Sequence, residues 1–230
     1  MTSLKMWLCD FRDLISPRYC AVCRARLNTT EKKLCGACLV GLPYLIEDDF
    51  SEGPLARLFW GKIPIAKAWC YIKYGQDSES QNLIHKLKYV HRPDLGVWLG
   101  RLMARELRSK GFFDGVDSIV AVPLHWRRQW KRGYNQSLQL ALGVSAETGI
   151  PIIRRKVRRI RNNESQTHMT TPQRIENTQN LFRAHGNLGC KHVLLIDDVL
   201  TTGATLTACA QAIMATSPGI RFSVLTLARA

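Results

Sequence analysis

The sequence predicts an α/β protein: a twisted, mostly parallel sheet with helices on both faces, preceded by a small cysteine-rich unit. Three observations carry this prediction. From residue 66 onward, short apolar runs alternate with stretches of helical periodicity, the pattern of strand–helix–strand units. Two of the runs, 118–123 after its opening serine and 193–196, are apolar without interruption, as strands buried on both faces are. Four cysteines form two CxxC pairs near the N-terminus. Hydrophobic residues make up 46% of the 230, enough for a packed core and too many for a disordered chain. The expected organisation is a helix and cysteine unit over 1–45, a linker over 46–65 and an α/β domain over 66–230.

Leu4, Trp7, Leu8, Phe11, Leu14 and Ile15 follow helical spacing, and Pro17 ends the pattern. This predicts an amphipathic helix, either docked on the rest of the protein or lying on a membrane surface. No apolar run approaches the roughly 20 residues of a membrane span, and no secretory leader pattern opens the chain. The expected compartment is the cytoplasm, with no membrane span.

Cys20 and Cys23 are followed, eleven residues on, by Cys35 and Cys38. A CxxC turn can turn both sulfurs toward one tetrahedral ion, and two such turns complete a closed site for structural Zn2+. Two disulfides are the alternative, disfavoured in a reducing cytosol. Arg24, Arg26, Lys32 and Lys33 offset the thiolate charge. With four protein ligands no coordination position stays open, so the ion holds a fold and performs no chemistry. Cys9 is near enough in sequence to be an alternative ligand.

Pro43, Gly53, Pro54, Gly61 and Pro64 mark the linker. A strand is expected over 66–74, after which Leu83, Ile84, Leu87 and Val90 suit a helix. Pro93 breaks that helix, and Asp94 is placed to cap the next. The next helix buries Leu95, Trp98, Leu99, Leu102 and Met103, leaving Arg101, Arg105 and Arg108 on a solvated face. Further strands are expected near 118–123, 151–157, 192–196 and 220–228, and a helix from a cap at Asn135 to Thr148, stopped by Gly149. Residues 162–179 read as a polar loop.

The formal charge of +15 is concentrated: residues 101–161 carry 14 basic and 4 acidic side chains, which suggests a polyanionic partner. Arg127, Arg128, Lys131 and Arg132 follow the strand at 118–123, where an α/β sheet opens its ligand crevice. Trp126, Trp130 and Tyr134 interleave with them. Either these rings stack on the bases of a single strand whose phosphates the cations neutralise, or they are a helix's core stripe. The basic run 154–161 is either an exposed polyanion-binding edge or a mobile arm.

The strongest signal is 193–205, four apolar residues followed by Asp197-Asp198 and a turn rich in threonine and glycine. A strand, a short turn and then a helix present main-chain N–H groups and a helix N-terminus to a phosphate. Thr201, Thr202 and Thr205 add hydroxyls, and Gly203 lets the backbone approach the anion. Adjacent carboxylates repel phosphate unless they accept sugar hydroxyls or hold Mg2+.

This segment resembles the phosphoribosyl-pyrophosphate motif of type I phosphoribosyltransferases. The chain as a whole resembles the ComF/GntX family, through the four-cysteine element, Val122-Pro123, the Arg-Gly-Tyr-Asn-Gln run 132–136, residues 166–177 and the Asp-Asp loop in that order. The resemblance implies a zinc finger before a phosphoribosyltransferase-like domain. It also implies that Asp197 and Asp198 bind ribose hydroxyls, that Thr201, Thr202, Gly203, Ala204 and Thr205 cradle the 5′-phosphate, and that Arg127, Arg128 and Arg132 lie on the pyrophosphate side with Mg2+. The implied function is uptake, processing or nutritional use of external DNA. Its partners would be single-stranded DNA, phosphoribosyl pyrophosphate or a nucleotide, and proteins of the uptake machinery. The alternative is an active Mg2+-dependent phosphoribosyltransferase of nucleotide metabolism.

Overall fold

β-Branched and large apolar side chains fill the runs that form the sheet, because such residues pack well on a pleated surface buried on both sides. In the computed structural model, which describes residues 17–46, 49–75, 79–90, 92–161 and 181–230, these runs become β1 (Ile65–Lys73), β2 (Ser118–Ala121), β5 (His192–Leu200) and β6 (Arg221–Arg229). They pair in the order β1-β6-β5-β2, and every pairing is parallel. Beyond β2, the expected strand at 151–157 reduces to one parallel bridge, Ile152 against Ile119. Pro151 offers only its carbonyl there, accepting from the Ile119 N–H at 2.8 Å. The helix expected over residues 4–15, Cys9 and the loop at 162–179 lie outside the described residues.

Two apolar layers flank the sheet. One carries α3 (Glu79–Tyr89), α4 (Pro93–Arg108), α6 (Gln136–Thr148) and the cysteine unit with its short helix α1 (Gly36–Val40). The other carries α2 (Pro54–Arg57), α7 (Ala204–Met214) and a hairpin of β3 (Val157–Arg159) with β4 (Phe182–Ala184). α5 (Trp126–Arg132) follows β2.

Two expectations are corrected, at the linker and at Asp94, and one of two alternatives falls, at 154–161. Residues 54–63 are not a free linker: Leu55, Ala56, Phe59 and Ile63 are buried in the second layer, the apolar spacing outweighing the glycines and prolines. Pro43 and Leu45 hydrogen-bond to Lys73 and Tyr71, so the cysteine unit covers the edge of β1. Asp94 does not cap α4, because Pro93 already occupies its first turn and Arg92 stands at the cap; Asp94 pairs instead with Lys33 and with Arg92. The basic run at 154–161 is not a mobile arm, since Val157 is buried and β3 pairs in register with β4.

Candidate phosphate and sugar site

The site is built at the C-terminal edge of the parallel sheet. β5 does not stop at the two carboxylates, as expected, but runs on through Asp197 and Asp198 to Leu200. Its partner β6 continues alongside, with Asp197 opposite Thr226 and Leu200 opposite Arg229. The turn is therefore only Thr201, Thr202 and Gly203, and α7 begins at Ala204. Gly203 has φ 76°, in the left-handed region, and a Cβ there would lie 3.0 Å from the buried ring of Phe59. Both facts require glycine at the entry to α7. Thr201, Thr202 and Ala204 are exposed, and Thr205 sits half-buried in the first helical turn.

Alternation along β5 gives the two carboxylates different surroundings. Asp197 is 9% exposed. Its Oδ1 accepts from the Ser137 hydroxyl at 2.8 Å and from the Asp198 N–H at 2.9 Å. Burial, and then the neighbouring Asp198 charge, push its carboxyl up to about 7 despite those donors. Asp198 is more accessible and faces Lys88 of α3, with Nζ 3.5 Å from Oδ2. The pair can thus offer one acceptor held in a dry position and one reachable from the crevice.

The basic segment arrives at the same edge because β2 is hydrogen-bonded to β5. The Val122 N–H donates to Ile196 O at 2.9 Å, directly before Asp197. His125 caps α5, its Nδ1 accepting from the Arg127 N–H at 3.4 Å. Burial, followed by the charges of Arg127, Arg159 and Arg128, lowers the His125 pKa and so favours the neutral ring. No residue of α5 is buried. Trp126 is 66% and Trp130 87% exposed, and the Arg127 guanidinium stands 5.3 Å from the Trp126 ring centroid. Lys131 is exposed; Arg132 donates to Gln136 Oε1 at 3.2 Å and stacks on Tyr89.

Tyr134 departs from its two companions. It lies past the left-handed Gly133 that ends α5, is 8% exposed, and donates its hydroxyl to Leu87 O. It belongs to the packing between α3 and α6 and is not a stacking platform.

Sequence reasoning missed Ser137, Lys88 and Arg159. Ser137 had a local signal: Asn135 caps α6, with Oδ1 accepting from the Ser137 N–H at 3.1 Å and Nδ2 bound to Val122 O, so the start of α6 points at β5. Gln136 is also buried there, and its Nε2 finds no acceptor among the described residues. Lys88 had no signal, since its partner is 110 positions away in sequence. Arg159 was hidden in a basic run. Its guanidinium lies over Phe182 at 5.6 Å; burial, then Arg128, lowers its pKa, while Asp197 opposes them.

The four cysteines form a separate centre. Their sulfurs all lie within 4.8 Å of one another, with Cys23 and Cys35 3.6 Å apart. A tetrahedral ion with Zn–S bonds of about 2.3 Å requires sulfurs about 3.8 Å apart, whereas a disulfide requires about 2.05 Å. The Val22 and Cys35 N–H groups donate to Cys20 Sγ and the Ala25 N–H to Cys23 Sγ, each at 3.4 Å. Burial works to raise the Cys20 thiol, but N–H donors of Cys35, Cys23 and Val22 outweigh it and bring it down to about 7. These donors fit a thiolate set that can hold a metal ion.

Fold and sites together define an α/β protein with a metal-competent four-cysteine module and paired carboxylates ahead of a three-residue turn that opens a helix. No family model matches the chain. The DNA utilization protein YhgH of Escherichia coli (strain K12) is 32% identical over 198 residues, covering 85% of this chain and 83% of that protein. Competence protein F of Haemophilus influenzae is 27% identical over 198 residues, 81% of this chain and 86% of its own. Competence protein ComFC of Bacillus subtilis is 30% identical over 121 residues, 53% and 48% of the two chains. The chain belongs to the ComF family. A purine phosphoribosyltransferase from Pyrococcus horikoshii overlaps 62% of this chain and 85% of its own at 17% identity and a TM-score of 0.35. Among the described residues no helix is long and apolar enough to cross a membrane.

Proposed function

We propose that this protein handles single-stranded DNA during uptake or use of external DNA, on a scaffold that also binds a phosphoribosyl group. One observation carries the reading: the Asp197–Asp198 pair and the Thr201–Gly203 turn share a sheet edge with a seven-residue helix bearing four cations and two exposed tryptophans. Main-chain N–H groups at the start of α7 suit a terminal phosphate. Asp197 and Asp198 would accept ribose hydroxyls, and the α5 cations and rings would take the strand beyond. The relatives named for DNA utilization and competence support the same reading. The test is binding of a fluorescent single strand. Affinity should fall steeply with salt, by about 0.7 in the log–log slope per neutralised phosphate, and should drop in Arg127→Ala/Arg128→Ala. Absence of binding at low salt would end the reading.

The carboxylate pair also favours a second reading, a pyrophosphate-releasing phosphoribosyltransferase. Mg2+ would arrive with the pyrophosphate, and Asp198 is the carboxylate within its reach. Asp197→Asn/Asp198→Asn should then lose Mg2+-dependent pyrophosphate release while remaining folded; unchanged turnover would remove the pair from catalysis.

The ion of the four-cysteine module is proposed to be Zn2+. It would neutralise thiolates that otherwise repel, in a module whose buried apolar residues, among those described, are Ala21, Leu27, Leu34 and Leu42 beside Cys20 and Cys38. One zinc per chain by elemental analysis, and loss of the module's structure on chelation, are expected. Reduced thiols with well under one zinc would count against it.

A further inference from the structure

A second cleft of about 410 Å3 lies between the four-cysteine module and the end of α3. Tyr19 and Arg24 line it from the module, and Lys86, Val90 and Arg92 from the opposite wall. No carboxylate lines it among the described residues. Arg92 is engaged by Asp94, with Nε 3.1 Å from Oδ1. Arg24 and Lys86 are paired with no carboxylate among the described residues. Tyr19 and Val90 are both exposed, so the cleft offers a flat ring and an apolar patch beside uncompensated cations. Cations on phosphates with rings under bases is the chemistry that takes a sequence-independent single strand.

The position of the cleft adds to this. Lys86 faces it, while Lys88, two residues on, pairs with Asp198. Two residues advance a helix by only about 3 Å but turn it by about 200°, so Lys86 and Lys88 flank the buried face of α3 from opposite sides, and a strand reaching both crosses the exposed face that carries Tyr89. Between the two sites Tyr89 is 54% exposed, its ring 4.9 Å from His85 and 5.4 Å from the Arg132 guanidinium. A ring already ordered by two neighbours loses little freedom when a base packs on its exposed part.

We propose that this cleft is a second subsite for the same single strand, with Tyr89 bridging it to the Asp198 site. The four-cysteine module is then one wall of the strand-binding surface as well as a metal-held fold. This rests on the reading that the protein binds single strands.

Arg24→Asn/Lys86→Gln tests it. Asn suits the left-handed backbone of Arg24 at φ 64°, and Gln keeps α3 helical, so an unchanged melting temperature is expected. Two 5′-phosphorylated strands are compared, of about 4 and about 16 nucleotides, the range of site sizes on such surfaces. The longer strand should bind the variant about tenfold more weakly, with a salt slope shallower by about 1.4, two phosphates' worth. The shorter should bind unchanged. No loss for the longer strand, or equal loss for both, overturns the proposal while leaving strand binding itself intact. If wild-type protein binds neither strand, the underlying reading fails with it. A nucleoside monophosphate that binds wild type and not the variant, with the longer strand unaffected, assigns the cleft to free nucleotides and overturns the proposal.

Discussion

Asp197 holds its carboxyl where burial and the Asp198 charge disfavour the ionised form. Burial and Asp198 raise it to about 7, well above the ordinary 3.8. Between those values the folded chain keeps a proton that the unfolded chain has lost. Its contribution to stability therefore falls as pH rises through that window, and the full cost is present above it. Asn at this position has no charge to lose and still offers an oxygen to Ser137 and the Asp198 N–H. Asp197→Asn should thus melt above wild type at pH 8, with the gap narrowing toward pH 5, while phosphoribosyl binding is lost. A variant less stable at every pH would show that the carboxylate is structural. Trp130 and Tyr134 make a second contrast. Trp130→Ala should leave stability within about 0.5 kcal/mol and weaken single-strand binding by about 1–3 kcal/mol. Tyr134→Phe should cost about 1 kcal/mol of stability and leave binding unchanged. Thermal melts and strand titrations of both variants separate the roles; a swapped pattern would reverse the assignment.

Among the elements, α6 sets the site by where it is pinned. It crosses α4 with two glycines in the contact: a Cβ on Gly100 would fall 2.1 Å from Leu140 O, and one on Gly143 2.1 Å from Val97 O. Backbone atoms cannot yield as a flexible side chain does, so α6 would have to move, carrying Ser137 away from Asp197. Gly100→Ala should destabilise by about 3 kcal/mol or more and weaken phosphoribosyl binding in the protein that still folds. Unchanged melting would mean the helices slide freely. The sequence made α4 and α6 legible through helical period, Pro93 and the Asn135 and Gly149 caps. It could not settle α5. Trp126, Trp130 and Tyr134 have one spacing, but the left-handed Gly133 ends the helix before the third, so equal spacing does not mean a common face.

For the whole molecule, the two ends of the sheet are chemically opposed. The Asp197 site occupies the C-terminal edge. At the N-terminal edge His192 is 2% exposed, its Nδ1 donating to Gly115 O at 3.0 Å and its Nε2 accepting from the Ser223 hydroxyl at 2.9 Å. The carbonyl can only accept, which fixes the neutral ring with its proton on Nδ1. Asp117 closes the same knot, accepting from the Lys191 and His192 N–H groups at 2.8 Å each. Burial, then Arg221, lowers the His192 pKa, so on acidification the unfolded chain takes up the proton first. Stability from this group is present above pH 6.5 and is lost as pH falls below it. Melting of wild type should therefore drop from pH 7 to pH 5 more than that of His192→Gln; parallel curves would show that His192 does not titrate with unfolding.

The sequence by itself determined what is encoded within a few residues. Parallel strands follow from uninterrupted apolar runs, the metal-competent module from two CxxC turns, and the strand–turn–helix at 193–214 from apolar residues, two acids, threonines and a glycine. Only the tertiary structure decided which distant groups meet those residues. Ser137 reaches Asp197 because α6 is held by its crossing with α4, and Lys88 reaches Asp198 from the end of α3, which Tyr134 ties down through Leu87 O. Arg159 turns toward the site because β3 pairs with β4 across 162–180. Local patterns set backbone geometry through sterics and hydrogen bonding between near neighbours. The burial that raises Asp197, and the cleft beside the cysteine module, arise from surfaces brought together by packing, for which no local spacing is a signal.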